Sequence, residues 1–125
     1  MSDDLNFLNL FRHDTAVTTL APGEFLFRKG DAAQDMFVVK SGELQIGDGN
    51  VVYETVTPGG IIGEMALVDA GPRSASVTAT TACEVIAVDQ KRFLFMVQQT
   101  PFFAIRVMRV ITQRLRTMNA RMTQL

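Results

Sequence analysis

Ile61-Ile62-Gly63-Glu64-Met65-Ala66-Leu67-Val68-Asp69-Ala70-Gly71-Pro72-Arg73-Ser74-Ala75-Ser76 is the stretch whose reading decides the fold. It sets a glycine turn, one carboxylate, an apolar half-turn and one arginine between segments that read as strands. Arg73 offers a planar fork that can hold a phosphate through two N–H groups. Glu64 can accept hydrogen bonds from hydroxyls, and backbone N–H groups around Gly63, Ser74 and Ala75 can complete an anion-binding nest. A small anion carrying hydroxyls would use every one of these groups. The same residues taken alone also describe a surface loop with an ordinary ion pair, because a motif is only a hypothesis about its surroundings.

Those surroundings are short strands. Val17–Leu20, Phe25–Arg28, Met36–Ser41, Leu44–Gly47, Val51–Val56, Ser76–Ala79 and Cys83–Val88 are brief and rich in β-branched or aromatic residues. Between them lie Ala21-Pro22-Gly23-Glu24, Lys29-Gly30-Asp31, Gly47-Asp48-Gly49-Asn50 and Pro58-Gly59-Gly60, which are turn and hairpin signals. Close spacing of this kind predicts a mainly β antiparallel jelly-roll barrel of about eight strands flanked by helices. No run is suited to a parallel βαβ sheet.

Helices are expected at both ends. Ser2 is positioned to cap a short helix over Asp3–Phe11, with Leu5, Leu8 and Phe7/Phe11 at helical spacing. Asp89 reads as the N-cap of a helix over Gln90–Gln99 that turns Phe93, Met96 and Val97 towards the barrel. Pro101 marks a break, after which a long helix runs from Phe102 to Leu125. In it Met108, Ile111, Leu115, Met118, Met122 and Leu125 recur at intervals of three and four, a heptad seam flanked by Arg114 and Arg121. Ile105, Val107 and Val110 make a second apolar set. One face would cover the barrel and the other would join a second copy, giving a parallel homodimer; the alternative is a helix lying along its own domain.

The 125 residues are expected to form one domain: an N-terminal helix over 1–12, a barrel over 14–88 with residues 61–76 as its binding loop, and C-terminal helices over 89–125. The net charge of −1 conceals a division. Residues 1–101 hold seven Lys/Arg against thirteen Asp/Glu, whereas residues 102–125 hold five arginines and no acid. One cysteine, Cys83, excludes an internal disulfide, and its apolar run reads as a buried inert thiol. One histidine, His13, cannot supply a clustered metal site. No signal peptide or membrane-length apolar run is evident, so a cytoplasmic protein without a membrane partner is expected.

The chain closely resembles the cyclic nucleotide-binding domains, and most of all the catabolite activator/CRP family of bacterial cAMP receptors. The resemblance is carried by Gly23-Glu24 with Phe25-Leu26-Phe27, by Gly30-Asp31 and Gly42, and by Thr81-Ala82-Cys83-Glu84-Val85. Above all it is carried by Gly63-Glu64-x-Ala66-Leu67 followed by Pro72-Arg73-Ser74-Ala75, which matches that family's phosphate-binding cassette. It implies that Glu64 accepts from the ribose 2′-hydroxyl beside the backbone of Gly63, Met65 and Ala66. It also implies that Arg73 holds the cyclic phosphate, with Ser74 and Ala75 donating to it. Ile46 and Val56 become candidate walls for the base, and Arg114 matches a helix arginine that reaches the pocket. Where the family's cAMP activators carry a hydroxyl pair facing the adenine, this chain has Met118-Asn119, a thioether and an amide.

These residues together describe a stand-alone regulatory module, not an enzyme, with no cofactor and with cAMP, or else cGMP, as its ligand. Binding would be relayed through the last helix to a dimer or an effector protein. A nucleotide-independent interaction or oligomerisation domain on the same barrel is the alternative. No recognition helix for sequence-specific DNA binding can be assigned.

Overall fold

The computed structural model describes residues 6–11, 13, 16–69 and 71–123. Along the chain run α1 (Leu8–Phe11), β1 (Thr18–Leu20), β2 (Phe25–Phe27), β3 (Met36–Ser41), β4 (Leu44–Asp48) and β5 (Val51–Val56). They are followed by β6 (Ile61–Ile62), α2 (Met65–Val68), β7 (Ser76–Ala79), β8 (Cys83–Val88), α3 (Gln90–Gln99) and α4 (Phe102–Thr123). All ladders are antiparallel, and they form two four-stranded sheets in the orders β1-β8-β3-β6 and β2-β7-β4-β5.

The sheets face one another without closing. The expected barrel is therefore an open two-sheet sandwich, which corrects that part of the prediction. Three of the four rim strands are short: β1 and β2 have three residues each and β6 has two, while β5 has six.

The first sheet is buried on both faces, and its sequence shows why. Val39, Ile62, Cys83 and Val85 point into the sandwich with Leu44, Val56, Val77 and Ala79 of the second sheet. Their neighbours Val38, Ile61, Ile86 and Val88 point the other way, onto Phe7, Phe11, Phe103, Val107 and Val110. Alternation along doubly covered strands thus yields the continuous apolar runs Phe37-Val38-Val39 and Val85-Ile86. Phe103 holds the helical layer together, with its ring 5.9 Å from that of Phe7, 6.4 Å from that of Phe11 and 5.5 Å from that of Phe93, each edge-on.

Ahead of α1 the Asn6 side chain accepts from the Leu8 N–H at 2.9 Å, an Asx turn leading into the helix. The expected Ser2 cap and Leu5 lie outside the described residues, as do the last two residues of the predicted terminal helix. Asp89 caps α3 as expected, accepting from the Arg92 N–H at 2.8 Å. The predicted apolar face of α3, Phe93, Met96 and Val97, packs on the core. Cys83 is a buried free thiol donating to the Glu43 and Thr81 carbonyls, and His13 sits in an exposed turn.

Candidate functional site

The second sheet supplies the floor of a cavity of about 380 Å³. Register places Phe27 opposite Val77, Val77 opposite Ile46, and Ile46 opposite Glu54, so these residues form one row from β2 to β5. All four line the cavity. Two residues further along the same inward face, Ala79, Leu44 and Val56 fill the sandwich core. The cavity is the open end of the sandwich interior, roofed by residues 62–66, by the 71–75 segment and by α4.

Arg73 stands at the β2 end. Its backbone is pinned to the turn after β2: its N–H donates to the Asp31 carbonyl at 2.9 Å, and its carbonyl accepts from the Gly30 N–H at 2.8 Å. The side chain is only 8 % exposed, with the guanidinium carbon 4.0 Å from the centre of the Phe27 ring. One terminal nitrogen donates to the Asp35 carbonyl at 2.7 Å, and the other reaches the Gly63 carbonyl at 3.4 Å, a weak bond that a better acceptor can replace. Nε is buried without a hydrogen-bond partner. Burial lowers the Arg73 pKa from its usual value, while the charges of Asp35, Asp31 and Glu64 partly restore it.

Gly63 makes this approach possible. Its φ of +75° lies in the left-handed region, and a Cβ there would stand 2.5 Å from the arginine's terminal nitrogen.

Glu64 begins α2 as its N-cap residue but makes no side-chain cap bond. It is 3 % exposed, and its carboxylate accepts instead from a terminal nitrogen of Arg114. Arg114 is a hub. Its Nε donates to Glu54 at 2.8 Å, and its other terminal nitrogen donates to Glu54 at 3.1 Å and to the Ile61 carbonyl at 2.7 Å. Burial pulls the Arg114 pKa down, but the hydrogen bonds and charges of Glu54 and Glu64 outweigh it and raise the value overall. One turn and three residues further on, Arg121 donates to the Tyr53 and Val52 carbonyls of β5.

Of the residues singled out from sequence, Gly63, Glu64, Met65, Ala66, Arg73, Ser74, Ala75, Ile46, Arg114 and Met118 line this one cavity. Two do not. Val56 is buried in the sandwich and borders a separate cleft of about 270 Å³ beneath α4. Asn119 is exposed and outside the lining, because its position on α4 turns it away from the side that carries Arg114 and Met118. Sequence reasoning missed Glu54, Tyr53, Phe27, Val77 and Thr117 as lining residues. Phe27 and Val77 were legible in principle, since both sit on expected strands at inward positions. The pairing of Glu54 with Arg114, sixty residues apart, left no local signal.

A family model described as the cyclic nucleotide-binding domain matches residues 17–100. The chain belongs to that family. It is 30% identical over 99 residues to the cyclic AMP receptor protein of Thermus thermophilus, across 75% of this chain and 46% of that one. It is 27% identical over 108 residues to a CRP-like cAMP-activated global transcriptional regulator of Mycobacterium tuberculosis, across 82% and 48%. The crystal structure of the Thermus thermophilus catabolite activator protein superposes with a TM-score of 0.78 at 25% identity, covering 87% of this chain and 54% of that one. This cyclic nucleotide-binding domain thus spans about half the length of the curated relatives it matches. The CRP resemblance drawn from the cassette is borne out at that level. Among the described residues, no helix is long and apolar enough to cross a membrane.

Proposed function

We propose that this chain is a regulatory module that binds a cyclic purine nucleotide, cAMP in the first place and cGMP as the alternative. Arg73 carries the reading. A buried guanidinium braced on an aromatic ring, with one terminal nitrogen only loosely engaged at 3.4 Å, suits a singly charged cyclic phosphodiester. Glu64 is then the acceptor for the ribose hydroxyl, Ser74 and Ala75 stand beside the phosphate, and Ile46 and Met118 border the base. The Thermus and Mycobacterium relatives, named for cAMP, support the choice of ligand.

Binding without turnover is part of the proposal, as is a cytoplasmic setting. The relay runs through α4 to a second copy. Met108, Leu115, Met118 and Met122 present an exposed apolar stripe, with Leu115 at 59% and Met122 at 67% accessibility. Ile111 is shared with the domain's own core. An effector protein on the same stripe is the other occupant compatible with this chemistry.

Calorimetry with cAMP, cGMP and AMP, on wild type and Arg73→Ala, tests the reading. Saturable binding of a cyclic nucleotide to wild type only, with AMP much weaker, is expected. A second reading, an interaction domain that answers to no nucleotide, is favoured by one observation: the Glu64 carboxylate is already engaged by Arg114. No heat with any of the three nucleotides would select it.

A further inference from the structure

The outer faces of α3 and of the start of α4 have no part in the site, yet both carry large apolar side chains into solvent. On α3 the series Lys91, Leu94, Phe95 and Gln98 falls at i, i+3, i+4 and i+7, and all four residues are exposed. Phe93, Met96 and Val97 pack on the core from the other side of that helix. On α4 the same spacing joins Phe102, Ile105, Arg106 and Arg109. Phe102 and Ile105 are exposed and lie outside the heptad series that begins at Met108. No residue of either set lines the cavity or the cleft beneath α4.

The two faces meet at one corner of the molecule. Only Thr100 and Pro101 separate the helices, and the Phe93 and Phe103 rings join them edge-on at 5.5 Å. Four helical rises and three Cα steps keep Phe95 and Phe102 within about 17 Å of each other. Leu94 and Phe95 are 54% and 57% accessible. A cluster of large apolar side chains rimmed by polar ones marks an interaction surface.

Charge identifies what would cover it. Asp89 is the last acid of the chain: residues 90–125 hold seven Lys/Arg and no Asp or Glu. Lys91 is exposed one turn before Leu94, and exposed Arg116 continues the α4 face two turns beyond Arg109. Arg109 itself lies over the Phe102 ring at 5.1 Å. An anionic bilayer suits this corner poorly, because residues 1–89 hold five Lys/Arg against thirteen Asp/Glu and would be repelled by the same surface. A protein segment touches the corner alone. We propose that the α3–α4 corner docks an acidic amphipathic helix of another protein. Leu94, Phe95, Phe102 and Ile105 receive its apolar side chains, and Lys91 and Arg116 face its carboxylates. The proposal is independent of the nucleotide reading.

A displayed library of random 20-residue peptides is selected on the whole chain, with Phe95→Asp as the counter-selection target. The most enriched peptide is then titrated by fluorescence anisotropy. Enriched peptides should carry Asp or Glu between Leu, Ile or Phe at helical spacing. Leu94→Asp and Phe95→Asp should each weaken the chosen peptide about 30-fold, the mark of a central anchor. Lys91→Glu should weaken it severalfold and flatten its salt dependence, while Leu115→Asp, on the heptad series, should leave it unchanged. Melting followed by circular dichroism checks that each variant is folded. Failure to enrich any peptide over the counter-selection, or enrichment of peptides without acids, overturns the proposal. So does binding of vesicles of phosphatidylglycerol and phosphatidylcholine by wild type but not Phe95→Asp, which assigns the corner to a membrane. Self-association lost in Phe95→Asp and kept in Leu115→Asp, read by sedimentation, overturns it in favour of a second copy.

Discussion

Arg114→Ala should cost this protein much of its stability, and the cost can be apportioned among its partners. The substitution removes two hydrogen bonds to Glu54, one to Glu64 and one to the Ile61 carbonyl. The two carboxylates are not equal. The Glu54 side chain is 39% exposed and regains water, so its share is at most about 1 kcal/mol. Glu64 is almost wholly buried, and stripping one partner from a buried pair costs about 3–5 kcal/mol because the other charge is stranded. Water entering beside the truncated side chain favours the low end, so the total is about 3 kcal/mol. For a domain of this size that lowers the melting temperature by about 10 °C. Urea unfolding followed by circular dichroism measures it directly. Adding Glu64→Gln to Arg114→Ala removes the stranded charge and should recover at least half of the loss, whereas Glu54→Gln alone should cost about 1 kcal/mol. The reasoning fails if Arg114→Ala lies within about 0.5 kcal/mol of wild type, or if the added Glu64→Gln brings no recovery.

Gly63→Ala imposes a side chain at φ +75° and pushes on the Arg73 guanidinium. It should weaken cyclic nucleotide binding by tenfold or more and lower stability by about 1 kcal/mol or more, read by calorimetry and urea unfolding. Asp89→Ala removes the cap of α3 and should cost about 1 kcal/mol in the same unfolding assay with nucleotide affinity unchanged, since α3 does not touch the cavity. Leu115→Asp places a charge on the exposed stripe of α4. It should shift a concentration-dependent sedimentation boundary towards the monomer while leaving the melting temperature of the isolated domain within a few degrees; a boundary identical to wild type at all concentrations removes α4 as the dimer seam.

Local grammar carried most of the fold into view. Seven of the eight strands were legible because β-branched runs alternate with glycine turns, and α3 was legible because Asp89 and Pro101 bracket it. β6 was not, for a two-residue strand is shorter than any period. Barrel closure was equally invisible, since it depends on whether rim strands pair across the two sheets. In the site, Glu64 and Arg73 stood out because few residues carry charge inside an apolar stretch. Val56 was mistaken for Ile46's companion because the two positions share a face; only the depth of the sandwich separates a core residue from a cavity wall. Tyr53 was hidden by the rule that exposes most cavity residues. Alternation, correctly applied, puts it on the wrong side, and only the bulge opposite Gly47 reverses it.

The two halves of α4 are held to the domain by different forces. Phe103, Val107 and Val110 are buried, with Ile111 beside them. Beyond Ile111 the helix meets the domain chiefly through Arg114 and Arg121, both gripping β5, and its remaining large apolar side chains are exposed. Apolar packing tolerates little displacement, whereas a polar clasp can exchange partners. The second half is thus the part of the helix whose position a ligand could alter. A ligand can do so only by changing the free energy of one arrangement relative to another. Of the clasp's acceptors, the Glu64 carboxylate and the Ile61 carbonyl belong to the cassette, while Glu54 and the Val52 and Tyr53 carbonyls belong to β5. In the proposed complex, a ribose hydroxyl donating to Glu64 would polarise the carboxylate on which Arg114 rests. That contact would bear on the half of α4 that carries Leu115 and Met122 outward. The proposed coupling between cavity and apolar stripe would therefore need no longer path than the Arg114 side chain.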